Sequence, residues 1–282
     1  MRFLIGEASV RRAIRIVSLL ALVGTAGPCA AFSWSDPTWT ACLGVRATLE
    51  QTIATCTAKI ESTSETAEDR AFAYARRGHA YSHQRDYDRA ISDFDEAIRL
   101  APKPSTYGSR ATVYHLKGDI DGAIADYERA IALAPDGIHF SARGDAYLAK
   151  GDLDHALADY DQAIKRGPPS PFPYYQRGRA YLMKGEFDRA TADYSEAIRI
   201  QPKFSDAIAQ RGLARQLKND LDGAIADYTE ALSFDPRMAL ALYGRGITKR
   251  TMGETESAER DMASARAISD DIAELFKGLG LE

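Results

Sequence analysis

Apolar and small positions in this chain recur with a period of 33 to 34 residues from Ala71 onward. One alanine series runs Ala90, Ala123, Ala156, Ala190, Ala224, Ala258. A second follows in phase at Ala97, Ala130, Ala163, Ala197, Ala231 and Ala265. Between them lie Phe94, Tyr127, Tyr160, Tyr194 and Tyr228, with Met262 in the last copy. Pro102, Pro135, Pro168, Pro202 and Pro236 close the units. A period of this length marks a repeat array rather than a single core.

Numbered from 1 within each unit, positions 4, 8 and 11 fall on one face of a first helix, and positions 17, 20, 24, 27 and 28 on one face of a second. The turn between them reads Gly118-Asp119, Gly151-Asp152, Gly185-Glu186 and Gly253-Glu254, with Arg85 and Asn219 as departures. Glycine there predicts a left-handed cap on the first helix, and the acid a start for the second. Small residues at positions 8 and 20 let the two backbones approach closely. After the last unit, Ile272, Leu275, Phe276 and Leu279 share one face of a short helix, the shape that closes the end of a repeat stack. Leu49, Ile53, Cys56 and Ile60 predict a similar one-sided helix ahead of the first unit.

The N-terminus has a different pattern. Arg2, Arg11, Arg12 and Arg15 precede an apolar stretch, Ile16–Val23, and then small residues up to Ala31. A basic segment, a short apolar run and a small-residue cleavage point describe an export signal, here 1–31. The apolar run is too short to span a bilayer, so no stable membrane span is expected in the mature chain. Cleavage after Ala31 takes the formal charge from −4 to −7 and discards Cys29. Cys42 and Cys56 remain, an even number for an oxidising compartment, and predict a structural disulfide rather than two buried thiols. Their spacing fits neither a redox dithiol nor a zinc knuckle. The expected location is periplasmic or secreted.

Together these motifs resemble the tetratricopeptide repeat family, whose pattern is an aromatic at 4, small at 8, Tyr at 11, Ala at 20, aromatic at 24, Ala at 27 and Pro at 32. The resemblance covers 71–272 in six copies: 71–103, 104–136, 137–170, 171–204, 205–238 and 239–272. It implies an all-α, right-handed α-solenoid with an N-terminal cap at 32–70 and a C-terminal capping helix at 273–282. It weakens where Arg215 and Lys249 replace Tyr at position 11, so the last unit is expected to be shallow and half-solvated. Cys42, Cys56-Thr57 and Arg77-Gly78-His79-Ala80-Tyr81 also resemble a group of exported bacterial repeat proteins.

In that family the first helices line a concave groove, with positions 2, 5, 9, 12 and 13 facing into it. The resemblance therefore nominates Phe72, His79, His83, Gly108, His115, Asp145, Phe172, Tyr175, Arg179, Ala209, Gln216, Leu240, Tyr243 and Arg250 as groove residues. Tyr175 and Tyr243 are the two tyrosines outside the repeat template, and aromatics of this kind anchor bound chains. The groove is expected to be basic toward Arg179 and Arg250 and otherwise apolar, suiting an apolar segment with an acidic residue. Arrays that clamp a C-terminal carboxylate place Lys at position 5 and Asn at 6 and 9. Here positions 5 and 9 hold neither Lys nor Asn, respectively.

Charge adds less than its abundance suggests. Position 7 is Arg and position 23 is Asp in all six units. Pairing between the two helices of a unit explains both more simply than an arginine ladder for a polyanion. Acids at 16 and 18 suit helix starts. A formal charge of −4 gives no reason to expect nucleic acid. No serine-hydrolase elbow, phosphate loop or zinc-protease motif occurs, so neither an enzyme nor a cofactor is expected. The expected function is a scaffold binding a protein or peptide segment in protein-protein interaction or envelope assembly. Two alternatives stand beside it: a metal or small-solute binder using His79, His83 and His115, and a spacer subunit using its ends or convex face.

Overall fold

The computed structural model describes residues 37–44 and 46–281; the expected signal at 1–31 lies outside them. All regular structure among the described residues is helical. The elements are α1 (Pro37–Cys42), α2 (Leu49–Glu61), α3 (Ala67–His83), α4 (Tyr87–Leu100), α5 (Pro104–Lys117), α6 (Ile120–Leu133), α7 (Gly137–Lys150) and α8 (Leu153–Arg166). They continue as α9 (Pro171–Lys184), α10 (Phe187–Ile200), α11 (Ser205–Leu217), α12 (Leu221–Phe234), α13 (Ala239–Thr251), α14 (Thr255–Arg266) and α15 (Ile272–Gly278). The chain forms two compact units, one ending at Ala180 and one beginning at Tyr181.

Each hairpin follows from its turn and its small residues. Gly118, Gly151, Gly185 and Gly253 sit at φ between +76° and +91°, where a side chain is strained. Arg85 and Asn219 hold the same turn at +63° and +65°. The acid that follows accepts a backbone N–H from the new helix at Asp86, Asp119, Asp152 and Asp220. Glu186 and Glu254 make no such bond, their longer side chains being poorer caps. At position 8, a methyl added to Gly144 would stand 2.8 Å from the Tyr160 ring, so the close approach of α7 and α8 depends on glycine.

The arginine series is structural. Arg77–Asp93, Arg110–Asp126, Arg143–Asp159, Arg211–Asp227 and Arg245–Asp261 are bidentate pairs with N···O distances of 2.6–3.0 Å. The aspartates are buried and the arginines half-buried. Four of these arginines also reach back to the preceding element pair, Arg77 to Thr57, Arg110 to Asp95, Arg211 to Ser195 and Arg245 to Thr229, and Arg177 makes the same reach to Asp161. One side chain thus ties a hairpin internally and to its predecessor.

Both ends are closed. Cys42 and Cys56 are fully buried, with Sγ atoms 2.07 Å apart, and join α1 to α2. They pack with Trp39 and Ala73 beneath α3. Leu49, expected on the buried face of α2, is 36% exposed, and Thr52 is buried instead, its hydroxyl donating to Ala41 O. At the other end, Ile272 and Phe276 are buried against α13 and α14. The last repeat is not shallow: Ala258, Met262 and Ala265 are fully buried, and Ala258 and Met262 lie against Gly246 of α13.

Candidate functional site

Within each unit, first helices of neighbouring hairpins touch, α3 with α5, α5 with α7, and α11 with α13, and the side chains they turn outward form the candidate site. In the N-terminal unit this face is varied and accessible. His79 and His83 are exposed, as is Thr112, while His115, Asp145 and Arg179 are half-buried. Ile138, at position 2 of the third hairpin and absent from the sequence nomination, is 59% exposed.

Hydrogen bonds fix several of these groups. His79 Nε2 lies 3.2 Å from Ser109 Oγ, and its ring meets Phe94 edge-on at 5.1 Å. Desolvation of the ring, then the charges of Arg76 and His83, lowers the His79 pKa. Burial also lowers the His115 pKa, against an upward pull from Asp145. Asp145 Oδ1 accepts a hydrogen bond from the Tyr160 hydroxyl at 2.7 Å and one from Gln176 Nε2 at 2.7 Å. Arg179 Nη1 donates to Gln176 Oε1 at 2.8 Å, orienting that amide. Burial raises the Asp145 pKa, and these bonds with the charges of His115 and Arg179 oppose the rise.

The core tyrosines take part in a way position arithmetic missed. Tyr160 is fully buried as a ring, yet its hydroxyl reaches Asp145 on the first-helix face. Tyr127 does the same to Thr112, with the hydroxyls 3.0 Å apart. A tyrosine at position 24, where phenylalanine would fill the same volume, was the available signal.

Several nominated residues are not open. Tyr175 is 7% exposed, and Gly108 lies under His139, whose Nε2 would stand 2.8 Å from an added methyl. Phe72 is half-buried beside Trp39, ring centroids 6.0 Å apart, because the N-terminal cap covers it. Phe172 is half-buried. In the C-terminal unit Ala209, Gln216 and Tyr243 are buried at 0%, 5% and 6% exposure. Gln216 Oε1 accepts the Tyr228 hydroxyl at 2.7 Å, and Tyr243 packs on Phe276 at 5.1 Å. Leu240 is half-buried and only Arg250 is exposed among that unit's nominees. Ala209, Gln216, Tyr175 and Tyr243 are thus core residues as the protein stands, and the apolar groove with an arginine at each end gives way to a polar face in the N-terminal unit.

The three histidines do not assemble a metal site: no group of three His, Cys, Asp or Glu side chains among the described residues is placed to hold an ion. Nor is any described helix long and apolar enough to cross a membrane.

Helical hairpins joined by recurring Arg–Asp staples define an all-α repeat solenoid protein. The chain belongs to the tetratricopeptide repeat family: models described as tetratricopeptide or TPR repeat match residues 71–104, 104–136, 144–185 and 171–204. No curated protein matches it in sequence. Among solved structures it is similar to PilW, described as a widely conserved type IV pilus biogenesis factor, with TM-score 0.64 and 18% identity over 74% of this chain and 97% of that one. It is also similar to YrrB, described as a TPR protein with an unusual peptide-binding site, with TM-score 0.55 and 20% identity over 67% and 98%. A tetratricopeptide repeat protein from Parabacteroides merdae gives TM-score 0.63 and 18% identity over 86% and 95%. At these identities the likeness is one of fold.

Proposed function

We propose that this protein is an exported, non-catalytic scaffold that holds a segment of a partner protein against the first-helix face of its N-terminal unit. The observation that carries the reading is a contrast at one repeat position. Position 9 holds His79, Thr112, Asp145 and Arg179 in the N-terminal unit, all with accessible surface. In the C-terminal unit it holds Leu213 and Ile247, both 3% exposed. A residue the fold requires should repeat, as Arg at 7 and Asp at 23 do. Varied polar groups on a rigid face are suited instead to reading a ligand, which meets them already positioned.

Export is supported by the basic and apolar run at the N-terminus and by the paired Cys42 and Cys56. Family membership and the lack of catalytic motifs support a binding role over an enzymatic one.

The test is site-specific crosslinking in intact cells. A photo-reactive residue at exposed position 112, on the first-helix face, is compared with one at exposed position 92 on a second helix. A discrete protein captured from 112 and not from 92 supports the reading. Equal capture from both, or none, ends it. Sequencing the cell-envelope form should find Phe32 at its N-terminus, and an uncleaved cytoplasmic chain would end the export part alone.

A further inference from the structure

Asp145 is a groove-facing carboxylate whose placement the repeat fold does not explain. Position 9 differs in every unit, so no packing rule asks for a carboxylate there. The side chain is nonetheless built in. Its Oδ1 takes both the Tyr160 hydroxyl and the Gln176 amide, and Gln176 is itself held by Arg179. These supports come from two elements, Tyr160 on α8 and the Gln176–Arg179 pair on α9, so Oδ1 is held against α7 from both.

Its charge is left without a direct partner. Both donors to Oδ1 are neutral. Arg179, whose charge acts on Asp145, hydrogen-bonds Gln176 and lies over the Tyr175 ring at 6.0 Å rather than pairing with the carboxylate. Among the described residues no hydrogen bond or ion pair reaches Oδ2. Oδ2 keeps accessible surface, since it is not among the buried polar atoms that lack a partner, so it is open to a cation supplied from outside through a charge-assisted bond.

We infer that Asp145 selects the partner segment, taking a lysine or arginine side chain of that segment on Oδ2. The inference rests on the preceding reading that a partner segment lies on this face. Ile138 stands two turns earlier on the same face of α7, about 10 Å away, and offers apolar contact beside the ionic one. The favoured ligand is therefore a segment with a basic residue near an apolar one, opposite in charge to the acidic segment that Arg179 and Arg250 suggest from sequence.

The experiment probes the full mature chain with a positional library of acetylated, amidated nonapeptides in which each position is fixed in turn as Lys, Arg, Gln, Glu or Leu. Pools fixed as Lys or Arg should bind best. For a peptide from those pools, Asp145→Asn should weaken binding by about tenfold, the size of one charge-assisted bond. Replacing the peptide lysine by norleucine should cost the wild-type protein the same and cost Asp145→Asn little more. The norleucine peptide tests the contact even if the variant fails to fold. Binding with no basic preference, or a basic preference indifferent to Asp145→Asn, overturns this inference and leaves the scaffold reading standing. Binding of no pool overturns both.

Discussion

Arg215 donates to the Asp227 carboxylate at 2.8 Å from the position where the first four hairpins place tyrosine. In the fifth hairpin Asp227 therefore has two arginines, Arg211 and Arg215, and in the sixth Asp261 has Arg245 and Lys249. What reads in sequence as decay of the repeat is a reinforced staple. Removing Arg143 leaves buried Asp159 without its bidentate partner and should cost about 2–3 kcal/mol, below the usual range for a buried pair because the arginine is partly wet. Arg211→Ala should cost distinctly less, since Arg215 remains. Thermal melts of the two variants should rank Arg143→Ala as the less stable, and equal losses would show that the extra cation carries no load.

The same staple has a pH signature. Burial alone would raise the Asp261 pKa, but hydrogen bonds from Arg245 and Lys249 prevail and hold it below the usual carboxylate range. A depressed carboxylate contributes stability that is fully present above its unfolded pKa of about 3.9 and is lost as pH falls through the lower folded value. The melting-temperature gap between wild type and Asp261→Asn should thus be constant from pH 7 to 5 and close below about pH 4. A gap unchanged at pH 2.5 would mean that the charge of Asp261 contributes nothing.

Turn geometry gives a stabilising substitution. Arg85 stands at φ +63° where four other hairpins use glycine. A side chain in this region costs about 1–2 kcal/mol, offset in part by the greater unfolded-state entropy of glycine. Arg85→Gly should stabilise by roughly 0.5–1 kcal/mol. Asn219→Gly should gain less, because asparagine tolerates the conformation. The reverse change, Gly118→Ala, should cost about 1 kcal/mol. Denaturant midpoints would check the order, and a loss on Arg85→Gly would show that its side chain has an unrecognised partner.

Period and spacing disclosed the hairpins, their turns and the Arg–Asp staples, because each depends on residues close in sequence that recur from unit to unit, and the one-sided apolar faces of α2 and α15 disclosed the end helices. The candidate site was less legible. A helical period says which face a residue occupies but not what lies across it. Tyr243 falls on the expected face and is covered by Phe276, and Gly108 is roofed by His139. Tyr160 has the opposite lesson: its ring obeys the core pattern while its hydroxyl serves Asp145. Sorting residues as core or groove by position cannot capture a side chain that belongs to both.

The cysteine pair should be oxidised in the exported protein. Both sulfurs are fully buried, so thiol counting needs denaturant. Protein from the cell envelope, unfolded without reductant, should show no alkylation at Cys42 or Cys56. Cys42→Ser with Cys56→Ser should lower stability by roughly 3 kcal/mol, the loop-entropy value for a loop of this length. The loss should appear as fraying of α1 and α2, with amide exchange rising there first. Full alkylation of both thiols without reductant would remove the bond and, with it, one support for export.

Phe276 tests whether the C-terminal helix is a lid on the repeats or a loose tail. Its ring is fully buried, 5.1 Å from that of Tyr243, and belongs to the cluster that includes Ile247, Met262 and Ile272. Phe276→Ala removes this anchor and should cost about 3–5 kcal/mol if the site cannot collapse. Stability in a repeat array is local, so the effect should concentrate at that end. Amide exchange should accelerate in α13, α14 and α15 and stay unchanged in α3–α8. The exposed Lys277 of the same helix should tolerate alanine within about 0.5 kcal/mol. Tyr243 in the Phe276→Ala protein should then become accessible to surface labelling. If it does not, the helix is not what covers it.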